Sequence, residues 1–258
     1  MQRRKFFHTA ALSAAALPLA GQGRSLFQSD SREYYEWRVY ELAGGGGRRR
    51  FVQYLEDAYV PALKKHGARA VGVFEEIAMP EPPTVYLLIA YPSLADFEEM
   101  PLRILGDPAY QAASSQYEAI QPDSKAYFRY HTSLLQAFTS IPRMEIPPDS
   151  HELFELRTYE SFSGEAARRK VAMFDNGELD IFKRVGLHPV FFGSMLAGPD
   201  MPALTYMLSF EDMTQRDENW NQFVNHPDWR SLSADEAYAN TVSKIYRRFL
   251  RALPVSGV

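Results

Sequence analysis

The chain has 258 residues, of which 46% are hydrophobic and 23% charged, and its formal net charge at pH 7 is −4. This length can bury one large core or two modest ones, and the acidic balance without a basic stripe argues against a nucleic-acid-binding protein. The sequence contains no cysteine, which excludes disulfides, thiol catalysis and iron–sulfur clusters.

The N-terminus has the pattern of an export signal. Arg3-Arg4-Lys5 precedes a short alanine-rich apolar run that ends near Ala20. A charged start, an apolar run and small residues after it predict a signal peptide over residues 1–23. The paired arginines resemble the bacterial twin-arginine signal, and a general secretory signal is the alternative. We therefore predict a periplasmic or secreted protein. The run is shorter than the ~20 residues of a membrane span, so no membrane attachment is expected after signal removal.

Two similar segments follow a polar leader over residues 24–33. Period-two alternation predicts strands and 3.6-residue periodicity predicts helices. In the first segment the pattern predicts strands over 34–42, 70–77, 85–91 and 134–138, a helix over 48–66 and a second helical region after Ser93. In the second segment the matching strands are predicted over 153–161, 189–196, 204–210 and 250–253.

The two segments are related by one fixed offset of 119 residues. Without a gap, 16 of the 76 pairs between residues 35–110 and 154–229 are identical. A single offset leaves little room for chance, and the period exceeds the ~20–50 residues of a solenoid repeat. Residues 142–148 contain three prolines and form a linker. We predict two domains, 34–140 and 151–254, joined by a linker over 141–150.

The predicted order of elements in each segment is β-α-β-β-α-β, the ferredoxin-like unit. Such a unit carries both helices on one face of a four-stranded antiparallel sheet and leaves the other face uncovered. Two uncovered faces within one chain can bury each other. The expected fold is therefore α+β, with tandem ferredoxin-like units forming an intramolecular α/β-barrel.

Three short motifs occur in both segments. They are Tyr/Phe-Glu-x-Arg-x-Tyr at 35–40 and 154–159, Lys-x-x-Gly at 64–67 and 183–186, and Asp/His-Pro-x-aromatic at 107–110 and 226–229. Together they resemble the NIPSNAP family of the dimeric α/β-barrel superfamily. The second segment is the closer match, because Trp37 and Val39 depart from the usual Leu and Thr and Tyr110 replaces Trp. The resemblance implies the fold but no single reaction, since the superfamily includes cofactor-independent monooxygenases, haem-binding enzymes and small-molecule-binding proteins.

Strand alternation divides the residues of the first motif between two faces. The bulky set is predicted to pack beneath the helices: Tyr35, Trp37, Val39, Phe154, Leu156 and Thr158. The polar set is predicted to point into the barrel: Glu36, Arg38, Tyr40, Glu155, Arg157 and Tyr159. These polar residues are either buried ion pairs or a ligand site. In a ligand site an arginine would bind an anion bidentately, and a tyrosine would donate a hydrogen bond or stack.

Tyr110 and Trp229 occupy equivalent positions, each two residues after a proline. They are either packing anchors between helix and sheet or lids over the cavity. His188 and His226 are the catalytic candidates, and His131 appears incidental because it lies near the linker.

No spacing of residues is typical of a metal site, so we predict neither a metal nor another cofactor. Haem bound through His188 or His226 is conceivable from the superfamily alone.

The sequence favours a protein that binds a small anionic or aromatic molecule in a polar barrel interior, and it does not decide whether a reaction follows. The first alternative is a cofactor-independent monooxygenase, for which His188 or His226 would be the base. The second alternative is a non-catalytic interaction module. Association into homo-oligomers is compatible with all three.

Overall fold

The computed structural model describes residues 32–44, 46–78 and 80–258, so the predicted signal peptide lies outside the described residues. The strands are β1 (Tyr34–Leu42), β2 (Ala70–Glu76), β3 (Thr84–Tyr91), β4 (Tyr127–Ala137), β5 (Leu153–Glu160), β6 (His188–Ala197), β7 (Ala203–Phe210) and β8 (Lys244–Ala252). The helices are α1 (Gly47–Tyr54), α2 (Val60–Lys65), α3 (Leu94–Leu105), α4 (Pro108–Glu118), α5 (Gly164–Met173), α6 (Leu179–Arg184), α7 (Met213–Asn225) and α8 (Pro227–Ser233). The π-helical segments Leu55–Tyr59 and Phe174–Glu178 join α1 to α2 and α5 to α6.

The eight strands form one closed antiparallel barrel in the order β1-β3-β2-β8-β5-β7-β6-β4. Each half contributes a four-stranded sheet, β4-β1-β3-β2 from the first half and β8-β5-β7-β6 from the second. Two seams, β2 with β8 and β4 with β6, join the sheets. This topology confirms the predicted fold of tandem ferredoxin-like units closed into an intramolecular barrel.

Capping residues mark the ends of several helices. The Ser93 side chain accepts a hydrogen bond from the backbone N–H of Asp96 at the start of α3. Gly67 and Gly186 follow α2 and α6 with φ of 104° and 78°, left-handed values that favour glycine. The region after Ser93 contains two helices rather than one, because Asp107 caps a new helix that begins at Pro108.

The seams are paired at only one end of the barrel. Strand β8 pairs with β2 over Leu250–Ala252, and β4 pairs with β6 over Leu134–Ala137. The earlier parts of β4 and β8 pair only with β1 and β5. We call the end where β1 and β5 begin the floor and the end where they finish the mouth; the sheets separate at the mouth.

The barrel interior holds the bulky set of residues, so the predicted assignment of the two strand faces is wrong. Tyr35, Trp37, Phe154 and Leu156 belong to an apolar cluster shared by both halves. The opposite face of β1, represented by Tyr40, packs beneath the helices with Phe51. Both faces of the sheet are buried here, so alternation separates the faces but does not say which one is inside.

The linker closes the floor. Met144 and the C-terminal Val258 pack against the interior cluster. The backbone N–H of Glu145 donates to the carbonyl of Val190 at 2.9 Å, which fixes the linker on β6. The segment therefore does more than connect two domains. None of the helices in the described part of the chain is both long and apolar enough to cross a membrane.

Candidate functional site

A cavity of about 600 Å³ opens at the mouth of the barrel. This volume lies within the ~300–1,000 Å³ typical of small-molecule sites. All eight strands contribute to it, together with the two proline-rich loops after β2 and β6. We call it the mouth pocket, and it is lined by Trp37, Val39, Glu41, Glu76, Pro80, Glu81, Pro82, Thr84, Tyr86, His131, Ser133, Leu135, Leu156, Thr158, Met195, Pro199, Asp200, Thr205, Tyr246 and Arg248.

The two walls of the mouth pocket differ, because the stacked pair of aromatic rings belongs to the first half and the second half contributes the single ring of Tyr246. The rings of Trp37 and Tyr86 stack with their centroids 5.3 Å apart. At the offset of 119 residues, the counterpart of Trp37 is Leu156 and that of Tyr86 is Thr205. The Thr205 hydroxyl lies 2.9 Å from that of Thr158, which satisfies both hydroxyls in the second wall. The pocket is therefore bordered by two stacked rings on one side and by threonine hydroxyls and the Tyr246 ring on the other.

A charged cluster lies on the β2–β8 side of the mouth pocket. Glu76 accepts a hydrogen bond from the Tyr86 hydroxyl and another from Arg248 Nη1, the latter at 3.1 Å. Burial, and next the hydrogen bond to Glu76, raise the pKa of Tyr86 above its usual value. Tyr86 therefore stays protonated at neutral pH and serves as a donor.

His131 is the histidine that lines the mouth pocket, and sequence reasoning missed it. Its Nε2 lies 3.4 Å from Glu41 Oε1, an ion-pair distance if the ring is protonated. The sequence prediction began the last strand of the first half at residue 134, whereas β4 begins at Tyr127. Continuing the alternation of Leu135 and Ser133 back by one more step places His131 on the interior face.

The first set of predicted ligand residues forms a network between β1 and the helices. Arg38 donates from Nε and Nη2 to the two oxygens of Glu36, at 2.6 and 2.9 Å. Arg38 Nη1 donates to Tyr59 at 2.8 Å. Tyr91 and Thr132 each donate to Glu36 at 2.9 Å. The buried carboxylate is thus paired and hydrogen-bonded, as a buried charge must be.

The second set has the same position in the other half. Glu155 accepts from Arg157 at 2.7 Å, from Arg216 at 2.8 and 3.0 Å, and from Trp220 Nε1 at 2.9 Å. The Arg157 guanidinium also lies 3.8 Å above the Trp220 ring. Burial alone would raise the pKa of Glu155, but the hydrogen bonds from Arg216 and the charges of both arginines lower it below its usual value. Glu155 is therefore ionised at neutral pH.

These contacts correct the predicted location of the polar set. Glu36, Arg38, Tyr40, Glu155, Arg157 and Tyr159 lie on the outer face of the barrel, beneath the helices, and line no part of the mouth pocket. The hydrogen bonds match the ion-pair interpretation of the sequence. A ligand-binding role for these six residues stays a prediction.

The predicted lids are also misplaced. The hydroxyl of Tyr110 lies 2.8 Å from that of Tyr54, between helices of the first half. The Trp229 ring packs on Phe223 at 4.4 Å in the second half. Neither aromatic ring covers the mouth pocket, so both serve as the packing anchors that the sequence left as the alternative.

The two histidines predicted as catalytic candidates do not line the mouth pocket. His226 caps α8 by accepting from the Asp228 backbone N–H at 3.2 Å. His188 is exposed, and its ring packs edge-on against His151 at 4.8 Å. Their positions do not fit a haem ligand inside the barrel. Among the residues that the structure describes, no group of three histidine or acidic side chains could hold a metal ion.

Comparison with known proteins agrees with this architecture. The NIPSNAP family model matches residues 35–127 and 154–257. A putative monooxygenase from Lactobacillus acidophilus NCFM is 10% identical over 86% of this chain and 94% of that chain, with a TM-score of 0.58. A putative monooxygenase from Fusobacterium nucleatum is 9% identical over 87% and 94%, with a TM-score of 0.54. A mutant chlorite dismutase from Candidatus Nitrospira defluvii is 8% identical over 88% and 94%, with a TM-score of 0.52. At these identities the structures share the fold alone. No curated protein sequence matched.

Proposed function

The chain belongs to the NIPSNAP family, and from that premise we propose that it binds a small aromatic molecule in the mouth pocket. The observation that carries the proposal is the cavity of about 600 Å³, bounded on one side by the stacked rings of Trp37 and Tyr86. Aromatic rings attract one another in offset-stacked and edge-to-face arrangements, so an aromatic ligand can pack against this pair.

The shape of the interior supports a binding function over a sealed interaction module. The floor half is filled by side chains that are almost completely buried, including Tyr35, Phe74 and Phe191. The mouth half is not filled, although the same strands continue through it. Packed interiors contain few voids of this size, so an open half of a barrel favours a site for a ligand.

The proposal is tested by filling the pocket. Leu156 is the counterpart of Trp37 in the second half, and Leu156→Trp places an indole at this position. Because the indole occupies part of the pocket, this variant should weaken binding of a naphthol probe at least tenfold. Leu196→Trp is the matched control, because Leu196 is exposed on the same strand as Met195 but does not line the pocket. Saturation-transfer NMR with 2-naphthol measures binding, and native mass spectrometry of the purified protein detects a retained compound. Equal binding by both variants would contradict the proposal.

A second candidate function is a cofactor-independent oxygenase, which is favoured by one residue. His131 lines the pocket beside Glu41 and is placed to accept a proton from a bound phenol. A hydroquinone and O₂ would give a hydroxyquinone and water, with all four electrons supplied by the substrate. Two structures with the same fold are named putative monooxygenases.

Oxygen consumption with a hydroquinone tests this second candidate against the uncatalysed background. His131→Gln should remove the protein-dependent rate, and His188→Gln, which changes a histidine outside the pocket, should not. A wild-type rate equal to the background would exclude the reaction for that substrate class.

We also propose that the protein is exported through the twin-arginine route, on the strength of Arg3, Arg4 and the apolar run that follows them. Arg3→Lys combined with Arg4→Lys should leave the protein in the cytoplasmic fraction. Fractionation of cells that express the full chain measures this. Unchanged export would point to the general secretory route.

A further inference from the structure

The two seams of the mouth pocket differ chemically although the repeat relates them. Glu76 on β2 corresponds to Met195 on β6 at the offset of 119 residues. Arg248 pairs with Leu156 and Ser133 pairs with Trp37, so these two residues are also counterparts. One seam therefore carries a glutamate and an arginine, and the other carries a methionine and a serine. A ligand in this pocket meets a glutamate and an arginine at one seam, which we call the charged end. At the other seam it meets a methionine and a serine, and His131 on β4 and Asp200 after β6 also line the pocket there.

The carboxylate of Glu76, at the charged end, can accept a further hydrogen bond. Tyr86 and Arg248 both donate to Oε1 of Glu76. Within the described part of the chain, Oε2 accepts no hydrogen bond, and the side chain is only 12% exposed. A carboxylate has about four acceptor positions, so a donor from a ligand can bind here without displacing Tyr86 or Arg248.

The formal charge of the lining favours a cation. The pocket is lined by four carboxylates (Glu41, Glu76, Glu81 and Asp200) and one arginine (Arg248), and Arg129 lies 3.5 Å from Glu41, so the formal charge of this group is −2 with His131 neutral. A cleft with charges of one sign raises the local concentration of the opposite ion. Arg38 and Arg157, from which the sequence suggested an anion, lie outside this pocket.

From these observations we infer that the ligand carries a protonated amine that donates to Glu76 Oε2, while its aromatic body lies between Trp37 on one wall and Leu156 on the other. The inference rests on the proposed binding function and adds the chemistry of the head group. The seam that carries Met195 and Ser133 lies at the opposite end of the ligand. A basic aromatic amine thus has one favoured orientation in the pocket.

Three probes with one ring system separate the head groups: 1-naphthylmethylamine, 1-naphthylmethanol and 1-naphthoic acid. Isothermal titration calorimetry at pH 7 should rank them amine, alcohol, acid, from tightest to weakest. Glu76→Gln should weaken amine binding about tenfold or more, because both the ion pair and a charge-assisted hydrogen bond are lost, and should weaken binding of the alcohol by a smaller factor. Glu152→Gln is the control, since Glu152 is exposed at the floor end and the variant has the same net charge.

The outcomes distinguish the two proposals. Equal affinity of the wild type for amine and alcohol, or tighter binding of the acid, would overturn the cationic head group and leave the aromatic site standing. Failure of all three probes to bind the wild type would overturn the binding function itself. The ranking in the wild type does not depend on any variant, so it decides the question even if Glu76→Gln fails to fold.

Discussion

The two halves stabilise a buried glutamate–arginine pair with different neighbouring residues. In each half a strand buries a glutamate and an arginine two residues apart, Glu36 with Arg38 and Glu155 with Arg157. In the first half the other donors to the carboxylate are neutral hydroxyls. In the second half a second arginine, Arg216, donates two hydrogen bonds to it. The same motif is therefore supported by neutral hydroxyls in one domain and by a second arginine, which also pairs with Asp217, in the other.

The difference originates in neighbouring positions rather than in the motif. Arg216 occupies the repeat position of Phe97, a residue that packs on Tyr91 in the first half. The second half also buries Lys170 with Glu178, at 2.6 Å. The repeat thus keeps its backbone and the buried glutamate–arginine pair, while the residues that contact this pair differ in charge between the two halves.

The largest expected effect follows removal of the shared carboxylate in the second half. Glu155→Gln leaves Arg157 buried without its counter-ion and Arg216 with Asp217 as its remaining carboxylate, and should lower the free energy of unfolding by about 3–5 kcal/mol. Glu36→Gln removes the counter-ion of Arg38 alone, and Arg38 keeps its hydrogen bond to Tyr59. This variant should lower the free energy of unfolding by about 1–3 kcal/mol. Denaturant titration of both variants measures the difference. A larger loss for Glu36→Gln would reverse the comparison.

The next effect concerns the buried pair that only the second half has. Lys170→Met leaves Glu178 without its partner and should cost about 2–3 kcal/mol, at the lower end for a buried pair. The loss is limited because burial already raises the pKa of Glu178, so the lone carboxyl can take up a proton. Lys170→Met combined with Glu178→Leu should recover most of the stability. A double variant as unstable as the sum of the single variants would show that the pair is uncoupled.

A smaller effect appears as a pH dependence of stability. The folded-state pKa of Glu155 is lowered, so its contribution is complete above the unfolded value of about 4.3 and is lost as the pH falls through the folded pKa. The difference in unfolding free energy between the wild type and Glu155→Gln should therefore be constant near neutral pH and shrink in acid. Denaturant titrations at a series of pH values measure it. A difference that grows in acid would contradict the lowered pKa.

The smallest effect compares the starts of α1 and α5. Ser163 accepts a hydrogen bond from the Ala166 backbone N–H, so Ser163→Ala should cost about 1 kcal/mol. Gly46 holds the same position before α1 but has φ of 85°. Gly46→Ser should therefore destabilise the protein rather than add a cap, because a side chain is strained in that conformation. Thermal unfolding of both variants tests the pair.

The element order and the barrel could be predicted from the sequence because period-two runs, helix caps and the repeat all agree. The predicted first strand, residues 34–42, has the same bounds as β1. The interior face could not be predicted, since bulky and polar residues alternate along β1 and both faces are buried. The choice depends on which surface the other half covers, and no local pattern contains that information.

The candidate site was missed for a related reason. His131 and Arg248 lie in the early parts of β4 and β8, where exposed and charged residues obscure the strand pattern. These segments remain strands because each pairs along one edge with β1 or β5. Tertiary pairing therefore decides their structure against the local sequence.

Met144 and Val258 pack against the interior cluster at the floor, so the mouth pocket opens at one end of the barrel only. A molecule bound in the pocket would therefore leave by the same opening through which it entered. If O₂ and an aromatic compound bind together, both have to use this opening.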